Sequence, residues 1–162
     1  MEKKELNLDR LKENYKEIQE KYNLPSFDAL NADFGIEKLS EVETDFLIRE
    51  IAKVMAEKFS NYLRFVEFII NPVNSPIFIF SIIKTLREEE MKKFNEIYKE
   101  LAKIEVRVIE IDIEFSEEKE SLFIIESYDI WKRIKKDLLE IIEKVKANWD
   151  NKSEDNKKAY FG

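Results

Sequence analysis

Neither cysteine nor histidine occurs in the 162 residues. Without cysteine there is no disulfide framework, no thiolate metal site and no thiol nucleophile. Without histidine the commonest general base near neutral pH and the commonest transition-metal ligand are both gone. Any chemistry would fall to carboxylates, Lys, Arg, Tyr, Ser or backbone groups. Glycine (2) and proline (3) are scarce as well. That leaves no phosphate-cradling loop, dinucleotide fingerprint or nucleophile elbow, and little chain for turns. No catalytic residue, cofactor or metal is assigned, and the balance leans away from an enzyme.

What is abundant is charge. Asp, Glu, Lys and Arg make up 39% of the chain, against ~25% in an average domain. The net charge is -7, which argues against a broad grip on nucleic acid or an anionic membrane surface; neither is expected as a partner. The N-terminal MEKKELNLDR lacks the apolar run of a signal peptide. The most apolar stretch, residues 65–83, is broken by Glu67, Asn71, Pro72, Asn74 and Pro76. It reads as helix, loop and helix in a core rather than a membrane span. A cytoplasmic protein is expected. The Lys, Glu and Ile richness is thermophile-like, although an AT-rich genome would produce the same bias.

Helical periodicity organises the chain, at about 100° per residue. Leu8, Leu11, Tyr15, Ile18 and Tyr22 form one seam on a first helix over residues 3–22, ended by Pro25. Residues 25–40 form a packed connector. Ser26 caps a short turn carrying Phe27 and Leu30, and Gly35 is its left-handed stop. A second helix is expected from Ser40, boxed by Glu43, to Ile70. It is apolar over ~200° beside a polar stripe of Glu50, Lys53, Glu57, Ser60, Arg64 and Glu67. Ser75 and Pro76 start a short third helix, apolar all round and so expected to be buried. Thr85 with Glu88 boxes a fourth helix to Phe115, and a fifth runs from Ser116 to Trp149. The expected fold is all-α: one domain over 1–150, a bundle of about five helices, and a frayed polar tail over 151–162.

The fourth helix departs from a plain bundle. Its apolar residues span an arc of about 220°, and Glu105 and Asp112 fall inside that arc, seven residues apart. A buried, unpaired carboxylate costs several kcal/mol, roughly. One reading is structural: a hairpin turning near Ser116 lets Ser121, Ser127, Tyr128 and Lys135 satisfy the two acids. A second makes residues 104–115 a bulged strand in an α+β fold, since Ile104, Val106, Val108, Ile109, Ile111, Ile113 and Phe115 alternate with charges. A third is functional: Glu105 and Asp112, with Ser127, Tyr128 and Lys135, line a polar site for a small molecule or a hard metal ion bound through oxygen, or act as the acid–base pair of a histidine-free enzyme.

Other features have plain readings. Lys132, Arg133, Lys135 and Lys136 form a solvated face paired with Asp129, Asp137 and Glu140. Trp131 and Trp149 belong to an apolar face with Ile134, Leu138, Ile142 and Val145. The surplus of apolar surface on the second and fourth helices favours a non-enzymatic interaction module. Such a module would self-associate into a homo-oligomer or hold a protein partner. A small-molecule ligand stays undefined at this stage.

Overall fold

The computed structural model describes the backbone of residues 2–159 and the side chains of residues 6–147. The fold is all-α. Six helices appear in chain order: α1 (Glu2–Tyr22), α2 (Phe27–Phe34), α3 (Leu47–Ile70), α4 (Ile77–Ile83), α5 (Glu88–Ile113) and α6 (Glu117–Ala159). Short 3-10 turns lie at Ile36–Glu41 and Pro72–Asn74. The strand alternative at 104–115 is not supported: α5 is helical through Ile113, and no strand exists among the described residues. A strand needs an edge to pair with, and both candidate partner segments, 77–83 and 122–125, are themselves helical. The expected tail, 151–162, falls on residues whose side chains, and at 160–162 whose backbone, lie outside the described residues.

The helix ends follow from local chemistry. α1 stops at Asn23, whose φ of 54° is left-handed, while the Leu24 N–H reaches back to the Gln19 carbonyl at 3.2 Å. That is a Schellman-type closure made with Asn instead of Gly. Ser26 caps α2 by accepting from the Ala29 N–H at 3.3 Å. Gly35 closes α2 at φ 67°, its N–H donating to the Asn31 carbonyl at 2.8 Å.

Several expected starts are displaced. Ser40 lies inside the 3-10 turn, and α3 begins only at Leu47. The Thr44 hydroxyl accepts from the Phe46 N–H at 3.0 Å, a local bond that competes with helix at this point. The Ser75 hydroxyl donates to the Pro72 carbonyl at 2.8 Å, and Pro76 occupies the cap position of α4 without a side-chain cap. Thr85 likewise donates backwards, to the Ile82 carbonyl at 2.7 Å. The reach-back that starts α5 comes from Glu90, which accepts from the Arg87 N–H at 2.8 Å. It is the N3 half of a capping box.

Contacts divide the chain into two compact units. The first combines the chain up to Ser60 with Lys103–Ile130. Its core includes Tyr15, Leu30, Ile36, Ile51, Met55, Phe59, Ile104 and Phe123, each no more than 2% exposed. The Tyr15 hydroxyl donates to the Pro25 carbonyl at 2.5 Å, and burial pushes its pKa well up, so it stays a donor. Lys58 donates to the Asp33 carbonyl at the end of α2, where a cation meets the negative end of the helix dipole.

The second unit combines Asn61–Ala102 with the chain from Trp131 onward. Val66, Ile69, Ile79, Phe94, Ile97, Leu101 and Ile141 are its most buried apolar residues. Tyr62 stacks on Trp131 with centroids 5.1 Å apart and rings 9° from parallel. Trp149, expected on the same face of α6, has a side chain outside the described residues. α4 is not buried all round as expected. Ile79 and Ile82 are buried, but Ile77 is 86% exposed, and Phe78 and Phe80 are exposed too. A two-turn helix lying on a core hides one face only.

Gly35 offers a direct test of the backbone reading. A Cβ added there meets nothing within 4 Å, so the left-handed φ supplies the whole cost. Gly35→Ala should lower stability by ~1 kcal/mol, and Gly35→Asn by less, because Asn tolerates this region better. Urea unfolding of the three proteins checks this; equal stabilities would contradict it.

Candidate functional site

The sequence nominated Glu105, Asp112, Ser127, Tyr128 and Lys135 as one polar site. The first four fall in the first unit and Lys135 in the second. Glu105 is half-buried and accepts from the Ser60 hydroxyl of α3 at 2.8 Å. Its partner therefore comes from the polar stripe of α3, not from α6 as expected. Asp112 is exposed. The two acids lie two turns apart, about 10 Å along the helix axis, too far for one small ion to bridge. Ser127 is buried, and its hydroxyl turns back onto the Phe123 and Ile124 carbonyls of its own helix. Ser121 does the same to Glu118 at 2.8 Å. The Tyr128 ring lies 6.4 Å from Phe34, edge to face. Among the described residues no group of three Asp or Glu converges where a metal ion could sit.

A cleft of about 130 Å³ does open beside Ser127, lined by Lys103, Ile104, Arg107, Phe123, Glu126 and Ile130. Small-molecule pockets run to roughly 300–1,000 Å³. Its polar rim is engaged, with the Arg107 guanidinium 2.5 Å from the Glu126 carboxylate. It is packing space between side chains rather than a built site.

Two carboxylates are buried among the described residues, Glu90 at 7% and Glu120 at 3% exposed, and Glu120 is the deeper. It lies in the first turn of α6, where the helix dipole favours acids. A signal for its burial was present, because Glu120 is in register with Ile124, Ser127, Trp131, Ile134 and Leu138, the inward stripe of α6. The Arg49 Nε stands 4.0 Å from its Oε1, while its Oε2 has no hydrogen-bond partner among the described residues. Arg49 is itself held over the Phe115 ring at 4.8 Å, and Phe46 meets Phe115 edge-on at 5.9 Å. Desolvation pushes the Glu120 carboxyl above its ordinary value; the charges of Arg49 and Lys53 oppose it, and those of Glu117 and Asp112 add to it. Its neighbour Glu117 goes the other way. It accepts from the Tyr22 hydroxyl at 2.6 Å and from Lys21 at 3.3 Å, and is held below the usual carboxylate range.

The basic cluster on α6 pairs across the second unit rather than only along its own helix. Arg133 meets Glu100 at 3.3 Å. Asp137 and Glu140 are both engaged by Lys93 of α5, at 3.3 and 3.2 Å.

The first unit also leaves an apolar row exposed. On α5, Val106, Ile109 and Ile113 are 66%, 54% and 81% exposed. Their spacing of three and four residues places them in one stripe. Ile104 and Ile111, half a turn away, are buried. No protein family model, curated protein or solved structure matches this chain.

Glu120 carries a pH signature. A pKa raised in the folded state means that folding favours the protonated acid. Its stabilising contribution is full below the unfolded value, near 4.3, and is lost as pH rises through the folded one. Glu120→Gln keeps the shape without the charge. It should therefore be more stable than the wild type at neutral pH, with the gap closing towards pH ~4. Urea unfolding across that range measures it. A wild type more stable than the variant at neutral pH would mean that the Arg49 attraction outweighs desolvation.

Proposed function

We propose that this protein is a non-enzymatic interaction module that docks a protein through the outward stripe of α5. The observation that supports it is the exposure of Val106, Ile109 and Ile113 in helical register. Single exposed apolar residues are ordinary on a protein surface, whereas a periodic row of large ones marks a contact face. Burying a Val or Ile side chain is worth ~1.5–3 kcal/mol, so three give a gross gain of several kcal/mol. Association costs about 4–15 kcal/mol before any contact counts. The stripe alone therefore fits a weak, reversible complex. The same proposal keeps the protein in the cytoplasm, which suits its acidic, cysteine-free composition.

A photo-crosslinking residue placed at position 109 in the native host tests this reading. It should give a discrete adduct, heavier than the 19.5 kDa chain by the mass of whatever docks. The same probe at Glu57, exposed on α3, should give none. If position 109 yields no adduct, or the two positions label alike, the docking face is refuted.

A further inference from the structure

The edges of the α5 stripe say what kind of segment covers it. On a helical wheel, Glu110, Glu114 and Lys103 border one side of Val106, Ile109 and Ile113, and Glu105 and Asp112 border the other. Four acids and one lysine thus frame three apolar side chains, on a chain of net charge -7. Glu114 is already engaged by Lys119 at 2.5 Å, and Glu105 by Ser60. Glu110 and Asp112 are both exposed, one on each side.

This pattern discriminates against a second copy. In a parallel pairing of two helices, each residue on one edge meets the residue five later on the opposite edge of its partner. Glu105 would then face Glu110 of a second copy, acid against acid. In an antiparallel pairing like edges meet. Lys103 would face Glu110 of a second copy, which is favourable, but Glu105 would face Asp112 of a second copy, which is not. Neither direction gives a net electrostatic gain, and a joint charge of twice -7 opposes both.

A partner carrying Lys or Arg along both borders of an apolar face meets attraction on each side, and its approach is steered by the field of the whole protein. We infer that the α5 stripe receives a basic amphipathic helix of another protein, apolar along one face and edged with Lys or Arg. The inference rests on the docking reading above and adds the chemistry of the occupant.

The probe is a pair of synthetic helical peptides with the same Leu/Ile face, one edged with Lys and the other with Glu. Each is titrated into the full chain and followed by fluorescence anisotropy. The Lys-edged peptide should bind at least about tenfold tighter at low salt, and the preference should shrink as salt is raised. Ile109→Glu should lose binding by about tenfold or more, and the double variant Glu110→Lys with Asp112→Lys should reverse the preference between the peptides. All three positions are exposed, so the variants should retain the wild-type far-UV circular dichroism. Equal binding of the two peptides overturns the inference, as does a Kd indifferent to Ile109→Glu. So does a wild-type dimer in sedimentation equilibrium that Ile109→Glu dissociates. If position 109 crosslinks another protein while the Lys-edged peptide shows no preference, the basic chemistry fails and the docking face stands. If position 109 crosslinks nothing, both fail.

Discussion

Side chains on an α-helix turn through about 100° per residue, so a helix packed on one side can bury a single stripe and little more. α5 carries more apolar residues than that limit allows. Phe94, Ile97, Leu101, Ile104 and Ile111 are buried, and Val106, Ile109 and Ile113 are left outside. The same geometry accounts for α4, where Ile79 and Ile82 go in and Ile77 and Phe78 stay out. α3 has an equally wide apolar arc but none of its large apolar residues is fully exposed. Apolar width is therefore not enough to mark a docking face; what matters is how many sides of the helix its neighbours cover.

The two most buried carboxylates show how one side chain type serves opposite ends. Glu90 is 7% exposed, yet its pKa is lowered, first by the Arg87 N–H and then by Lys144 at 3.3 Å. It stabilises the fold above the unfolded carboxylate pKa, and that contribution is lost as pH falls through the folded one. Glu120 is buried to a similar degree with no such backbone donor, and desolvation wins. The difference lies in position. Glu90 is at N3 of its helix, where it can reach back to an unsatisfied N–H. The corresponding N–H groups at the start of α6 face Ser116, whose hydroxyl stands 3.5 Å from the Lys119 N–H. The first unit thus keeps one strained acid next to Arg49, and the two buried acids pull the pH dependence in opposite directions.

Much of this arrangement was legible in the residues. Ser26, Gly35 and the apolar seam through Leu11 and Tyr15 report strictly local preferences, and local preferences survive folding. The expected caps at Ser75 and at Thr85 did not hold, because a Ser or Thr hydroxyl can bond forwards as a cap or, as both do here, backwards as a turn. Sequence does not say which carbonyl is nearer. The strand alternative on α5 arose because two helical stripes on opposite sides, one buried and one exposed, interleave with charges at nearly the same spacing as a strand. Glu105 accepts from Ser60, a donor 45 residues away on α3 that helical spacing along α5 does not reveal. Glu120 sits both in the first turn of α6, where the helix dipole favours acids, and on the inward stripe, and only packing chooses between them.

An exposed apolar row is a hazard as well as an opportunity, since it attracts any other apolar surface, including its own copies. The acids beside it bear on both. Glu105 ties α5 to Ser60 of α3, whereas Glu110 and Asp112 both face solvent. Placed on both borders of the row, they set like charges against each other whenever two copies approach, whichever way the helices run. The same charges are neutral to an apolar surface without charge and favourable to a basic one. Discrimination of this kind costs little stability, because exposed carboxylates are already solvated in the free protein. A leucine at the exposed position 112 would widen the apolar surface without setting any charge beside it, whereas Asp112 stays solvated there.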